Sequence, residues 1–433
     1  DMVLPQDLSN TIEISDMNND NINDIIISGY DSSRFGIFLD IIEGNSDGSI
    51  STLFESNIIT FPDSIAQYVG GIGNIDLADV NRDGMMDLYL NGSATSKLYI
   101  NLGGILNSSN NWLPQINLSY SSAKWGDSNM DGAPDLFLMG VNEFTNQIIN
   151  ELYLNKGSHL EIDPNTIFPS LINGSNAWGD YDNDGDQDLI ICGRIADKTA
   201  SITRFYKNDP IGRLTELTTV EDIPGLKAGA FKFTDLDSDG DQDLILTGWN
   251  KIEGKLITRI MRNDPLGTYT PFENQINFAV AYGNIDAIDY NLDGYKDFVI
   301  SGADSVSDYS GRIHSLSSKI FLNNNGNSFT ELQEIKGTRV AKFVDINLDK
   351  IPDLIVNGTT KIGQDSSSFT KVFINNLDQA NNKPEPPSSL TAFAISTRAI
   401  FTWGSGLDDY DNSTNLSYNL RIGTTSGGNQ LMA

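Results

Sequence analysis

Among its 433 residues the chain has one cysteine and two histidines. No internal disulfide can form, and a zinc site of thiolates and imidazoles is out of reach. A thiol or hydroxyl nucleophile would have only His159 and His314 to draw on. Cys192 sits inside the apolar run LIICG, where it reads as a small buried hydrophobe. Basic residues are scarce as well, 28 against 58 acidic ones, for a net charge of −30. Such a surface repels a phosphate backbone, which excludes nucleic acid as a partner. There is no run of 18 apolar residues, so direct membrane insertion of a helix is not expected. No basic-then-apolar leader opens the chain, which fits a leader already removed or an internal start. A sustained helical period is missing too.

What is present is a repeat. An aspartate-rich loop followed by a short apolar strand and a glycine occurs seven times. The loops are DMNNDNIND, DVNRDGMMD, DSNMDGAPD, DYDNDGDQD, DLDSDGDQD, DYNLDGYKD and DINLDKIPD, starting at Asp16, Asp79, Asp127, Asp180, Asp235, Asp289 and Asp345. Their mean spacing is about 55 residues, a period that points to a propeller or a solenoid. Within one period four strands are legible. Strand A carries an apolar residue two before the loop (Ile14, Leu77, Trp125, Trp178, Phe233, Ala287, Phe343), and strand B is a continuous apolar run such as LFLM or LIVN. Strand C alternates, as in KLYIN and KVFIN, and strand D is weak. Four antiparallel strands repeated seven times make an all-β, seven-bladed propeller. The last period has no strand D. Residues 1–5 are therefore expected to pair with residues 371–375 and close the ring without an exposed edge. Trp125 and Trp178 align with Ile14 and Phe343, which places them in inter-blade core rather than on a sugar platform.

The loops read as cation cages. Oxygen-bearing side chains recur at positions 1, 3, 5 and 9: Asp16, Asn18, Asp20 and Asp24; Asp79, Asn81, Asp83 and Asp87; Asp127, Asn129, Asp131 and Asp135; Asp180, Asp182, Asp184 and Asp188; Asp235, Asp237, Asp239 and Asp243; Asp289, Asn291, Asp293 and Asp297; Asp345, Asn347, Asp349 and Asp353. Position 7 would add a backbone carbonyl from Ile22, Met85, Ala133, Asp186, Asp241, Tyr295 or Ile351, whose varied side chains suit a main-chain role. An all-oxygen set of this size suits calcium, up to seven ions, better than magnesium or zinc. An EF-hand is excluded, because position 12 is always a strand residue such as Ile27 or Val356. Two carboxylates ~4 Å apart repel by on the order of 4 kcal/mol at an effective dielectric of 20, and a cation removes that cost. Position 6 is glycine in five loops, as a left-handed turn favours. Asn21 tolerates that turn, and Lys350 suits it least. The site at Asp345 is therefore expected to be the weakest.

The pattern DxDxDGxxDLxxxG followed by an LYLNxG strand resembles the FG-GAP or VCBS-type repeats, related to the propeller of integrin alpha subunits. The resemblance covers about residues 1–378. It implies that the calcium loops lie between strands A and B on one face of the disc and are structural. The FG and GAP signatures themselves are poorly kept, with Phe35-Gly36 a lone match. A Pro/Asn-rich linker spans 379–387, and residues 388–433 resemble the first half of a fibronectin type III domain, an incomplete β-sandwich. There Leu390 belongs to strand A, Trp403 to strand B, and Tyr418 and Leu420 to strand C. The resemblance points to a secreted or cell-surface bacterial protein with further domains on the same polypeptide.

The function expected from this reading is a non-catalytic binding or adhesion module, not an enzyme. A protein or glycan partner would meet the face opposite the loops, where the B–C connections are long and varied. Candidate contacts are Arg194, Lys198, Trp249, Lys251, Tyr309 and Arg312. The alternatives are a structural spacer or cargo domain of a large surface protein, and a polysaccharide-active enzyme on the same disc.

Overall fold

The computed structural model describes residues 2–3, 8–31, 36–46, 50–56, 75–92, 96–109, 112–113, 116–197, 200–209, 212–217, 223–264, 267–306, 313–362, 365–377, 385–395 and 398–406. Seven four-stranded antiparallel sheets follow one another, each in the order A-B-C-D. Blade 1 runs from Leu8–Ser15 (A) through Asp24–Asp31 (B) and Gly36–Gly44 (C) to Ile50–Ser56 (D). The A strands of blades 2 to 7 are Ile75–Ala78, Leu118–Gly126, Leu171–Gly179, Leu226–Thr234, Ala281–Ile288 and Thr338–Val344. The matching B strands are Asp87–Asn91, Asp135–Asn142, Asp188–Ile195, Asp243–Asn250, Asp297–Val306 and Asp353–Ile362, and the C strands are Ser96–Asn101, Ile148–Asn155, Ser201–Lys207, Lys255–Arg262, Ile313–Asn323 and Asp365–Phe373. Every B strand starts on the ninth loop residue. The A strands of neighbouring blades touch around the whole ring, the seventh against the first included. They therefore line its centre. The chain is a closed seven-bladed β-propeller, and no helix occurs among the described residues.

The last blade takes its fourth strand from the other end of the chain. Met2 pairs with Val372 and Val3 with Lys371, so the expected closure holds, over two residues.

Seven apolar cores lie between consecutive blades, one per joint. This arrangement explains why strand B shows no polar alternation. Leu136 and Leu138 enter the core shared with blade 2, while Phe137 and Met139 enter the core shared with blade 4. A strand covered on both faces must be apolar at every position. Trp125 and Trp178 are core residues, as expected. The Trp178 ring lies over Gly126 of the preceding blade, where an added Cβ would come within 2.5 Å of it. Cys192 is fully buried in the core between blades 4 and 5.

The residue three before each loop adds a charged belt: Glu13, Asp76, Lys124, Ala177, Lys232, Asp286 and Lys342. Its members pair across joints, Lys124 with Asp76 at 2.6 Å, Lys232 with Asp286 at 3.2 Å, and Lys342 with Glu13 at 2.6 Å. Asp76 also accepts the Trp125 N–H, and Asp286 the Phe343 N–H. The last ion pair spans the joint at which the two ends of the chain meet.

Beyond the ring, Ser388–Ile395 and Arg398–Gly404 form an antiparallel hairpin. Leu390 and Trp403 lie on its two strands as expected, and Leu390 and Phe393 are exposed. Tyr418 and Leu420, assigned to a third strand, lie outside the described residues. Among the described residues this two-stranded hairpin is all that forms there, and it does not establish the expected sandwich.

Candidate metal centres

Each loop folds the same way. Position 6 is left-handed in all seven, from φ 66° at Asn21 to 94° at Gly240, with Lys350 at 69°. Position 4 is left-handed too: Asn19, Arg82, Met130, Asn183, Ser238, Leu292 and Leu348 lie between 54° and 64°. No glycine marks that second site, so nothing in the sequence pointed to it. A non-glycine residue held there costs on the order of 1 kcal/mol or more. Hydrogen bonds to the loop's own side chains offset the strain. The position-1 carboxylate accepts the N–H of positions 5 and 6, as Asp79 does from Asp83 at 3.0 Å and Gly84 at 2.8 Å. In blade 5 Asp235 accepts instead from Ser238 and Gly240. The position-5 carboxylate accepts the N–H of position 7, as from Met85 at 2.9 Å. The backbone around Lys350 follows the same pattern, its N–H donating to Asp345 at 2.9 Å. Lys350 therefore does not distort the loop expected to be weakest.

Position 9 is the keystone. Asp24, Asp87, Asp135, Asp188, Asp243, Asp297 and Asp353 are at most 1% exposed. One oxygen of each accepts the N–H of loop position 2, from Met17, Val80, Ser128, Tyr181, Leu236, Tyr290 or Ile346, at 2.7–3.1 Å. The other accepts an N–H at the end of strand C, from Gly44, Asn101, Asn155, Asn208, Asn263, Asn323 or Asn375, also at 2.7–3.1 Å. Burial pushes these carboxyls up, and the backbone donors only partly oppose it. Asp87 and Asp135 rise to about 6, Asp188 and Asp297 to about 7, and Asp243 to about 8. Asp24 and Asp353 are raised as well.

Six of those strand-C residues are asparagines, and their side chains do a second job. The amide of Asn155 donates to Val80 O of the preceding blade at 2.9 Å and to Pro134 O of its own loop at 3.2 Å. Asn101, Asn208, Asn263, Asn323 and Asn375 reach the position-2 carbonyls Met17 O, Ser128 O, Tyr181 O, Leu236 O and Tyr290 O in the same way. Six of the seven loops are thus tied to the next blade. Blade 1 has Gly44 at this place, so the joint between blades 7 and 1 has no such tie.

Blades 4 and 5 carry the densest oxygen sets. Asp180, Asp182 and Asp188 bring carboxylate oxygens within 4.8 Å of one another, as do Asp235, Asp237 and Asp239. Position 7 in these two loops is itself an aspartate, expected to serve through its carbonyl. Here the side chains count as well: Asp186 Oδ1 and Asp241 Oδ1 are buried with no hydrogen-bond partner. Burial first, then the neighbouring aspartates, push both carboxyls up. Lys207 pairs with Asp182 and lies 3.4 Å from Asp184, and Arg262 Nε lies 2.7 Å from Asp237. Their counterparts beside loops with Asn at position 3 are Ile100, Leu154, Leu322, Ile374 and Glu43, and Glu43 accepts the Asn18 amide. Excess negative charge at position 3 is met by a cation one residue before the strand-C asparagine.

Donor chemistry and surplus charge both fit a divalent cation. The sets are all oxygen, which suits calcium. Orphaned buried carboxylate oxygens remain after every protein donor is used, and uncompensated buried anions are costly. Positions 1, 3, 5 and 9, with Asp186 and Asp241, would hold the ion.

Residues 79–138 and 235–300 match the FG-GAP-like repeat, each match running from one loop into strand B of the next blade. The chain carries FG-GAP-like repeats. The loops at Asp16, Asp180 and Asp345 lie outside those matches yet share the backbone geometry of the loops within them. No curated protein matches the chain. Among solved structures, similar chains include a lectin of Agrocybe aegerita that recognises non-reducing terminal N-acetylglucosamine, with 15% identity, a TM-score of 0.45, and 75% of this chain and 79% of that one covered. The Photorhabdus luminescens Tc holotoxin pore gives 16% identity and a TM-score of 0.37 over 84% of this chain and 18% of that one. The V. cholerae biofilm matrix protein Bap1 gives 12% and 0.35 over 84% and 88%. At these values the likenesses say nothing about ligands.

On the opposite face, Arg194 ends a B strand, half-buried, with its Nε buried and unpartnered. Trp249 lies under the Lys227 ammonium, 5.4 Å from the ring centre, and Lys251 is exposed beside it in the chain. Lys198, Tyr309 and Arg312 lie outside the described residues.

Two outcomes follow. Asn155→Ala leaves buried carbonyls unpaired and should lower stability by about 1–3 kcal/mol in urea unfolding, whereas the exposed Asn376→Ala should stay within about 0.5 kcal/mol. The raised position-9 carboxyls favour the metal-free fold when protonated. Their stabilising effect is full below the unfolded value near 3.8 and is lost as pH rises through about 6 to about 8. The melting temperature of the metal-free chain should therefore fall between about pH 5 and about pH 8 and level out in saturating calcium. A metal-free melting temperature that rises over that range would contradict the assignment.

Proposed function

We propose that the chain is a calcium-stabilised, non-catalytic binding module of a secreted or cell-surface protein. The observation that carries the calcium part is the pair of oxygen cages in blades 4 and 5, where buried Asp186 and Asp241 oxygens have no protein donor. When bound, the ion supplies the positive charge these cages lack. The protein's own residues do the rest: position-9 carboxylates hold strand C, and the strand-C asparagines hold the neighbouring blade. The loops are thereby structural, and recognition falls to the other face. There the B–C connections vary in length and composition, and the buried Nε of Arg194 has no hydrogen-bond partner. The partner is a glycan or a protein.

Excess chelator should lower the melting temperature by many degrees, and added calcium should restore it. Calcium-loaded protein on glycan and protein arrays should give specific hits that substitutions at Arg194 or Trp249 reduce without altering the melt. An unchanged melt in chelator, with no metal by elemental analysis, would dispose of the calcium part. Hits unaffected by any opposite-face substitution would dispose of the rest.

A further inference from the structure

Six of the seven inner strands, all but that of blade 2, carry a β-bulge near their start, at the end remote from the aspartate loops. In blades 3 to 6 the bulge holds Tyr120, Asn173, Ala228 and Tyr282 left-handed, at φ 50–54°. A tyrosine in that region is a genuine outlier, and such strain gathers at functional sites. In blades 4 to 6 the next residue is glycine, pressed on strand B. A Cβ at Gly283 would stand 1.8 Å from Ser301 O.

These bulges point to one place. The Asn173 amide lies 3.5 Å from the Tyr282 hydroxyl, reaching from blade 4 to blade 6. Between them blade 5 offers only Ala228. The Tyr282 hydroxyl also feels Tyr120 of blade 3, Arg194 of blade 4 and Arg339 of blade 7. Burial raises Tyr282 and lowers Arg339. Both arginines are half-buried, and among the described residues neither has a carboxylate in ion-pairing reach. In a chain with 58 acidic residues, two such guanidiniums near Tyr282 are a local surplus of positive charge that invites an anion. Tyr120 is 54% exposed, so an aromatic face is open beside them. Phenol hydroxyls and a carboxamide are hydroxyl-binding groups, and an aromatic face accepts the apolar side of a sugar ring.

We propose that the mouth of the central channel, on the face away from the metal loops, binds a carboxylate-bearing sugar of a polysaccharide. Arg339 and Arg194 hold the carboxylate. Tyr120 packs on the ring, and Asn173 and Tyr282 bond its hydroxyls. This deepens the binding-module reading and rests on it.

The test is calorimetric titration of the calcium-loaded full chain with a short oligouronate and with its carboxyl-reduced counterpart, calcium being equal in every arm. The oligouronate should bind and the reduced sugar should not. Arg339→Met and Arg194→Met should each weaken binding by at least about tenfold, the loss expected for one charged hydrogen bond, with an unchanged melt. Should Arg339→Met unfold, Arg339→Lys and Tyr120→Ala carry the comparison. Equal binding of the reduced sugar, or intact binding in the arginine variants, would overturn the inference. A neutral glycan or an acidic peptide captured instead would overturn it while leaving the binding-module reading in place. No ligand of any kind on this face would overturn both.

Discussion

Seven fully buried aspartates hold this ring together. Each opens strand B, receives one N–H from its own loop and one from strand C, and so fixes how the loop sits on the sheet. A carboxylate in such a place is costly in low dielectric. The same burial raises these groups, to about 8 in the case of Asp243. The unfavourable term is local, repeated and identical in sign in every blade. A divalent cation at each loop would answer all seven, and Lys207 and Arg262 already contribute countercharge in the two loops where the surplus is greatest.

The two faces of the disc divide the work. On the loop side, strand-C asparagines tie six of the seven joints. The seventh, at which the chain ends meet, has Gly44 in place of asparagine. It relies on a two-residue strand, its apolar core and the Lys342–Glu13 pair. On the other side the inner strands carry bulges rather than cages. In blades 3 to 6 those bulges hold Tyr120, Asn173, Ala228 and Tyr282 in the left-handed region.

Much of this was legible in the sequence because the physics repeats. Aspartates at fixed spacing, an apolar run and a glycine recur often enough to give the blade count, the strand order and the ring closure. The recurring oxygen-bearing loop positions were readable for the same reason. What escaped notice was spread across blades. The asparagine at the end of six of the C strands reads locally as a turn former, and its partner is a carbonyl about eighty residues earlier, as for Asn208 and Ser128. Lys207 and Arg262 look like ordinary strand-edge cations until their loops are seen to have aspartate at position 3. The left-handed position 4 bears residues as different as Arg82, Met130 and Leu292. Arg339 lies on a strand that the repeat pattern marks as inner core, at the residue where a bulge breaks the register with strand B.

Amide hydrogen exchange, compared between calcium-loaded and chelated protein, tests the central claim most directly. The decisive amides are those donated to the position-9 aspartates: Met17, Val80, Ser128, Tyr181, Leu236, Tyr290 and Ile346, with their strand-C partners. The account predicts strong protection in calcium and early loss of these amides together in chelator, before the centres of the B strands. Protection at these amides that is the same with and without the cation would contradict it.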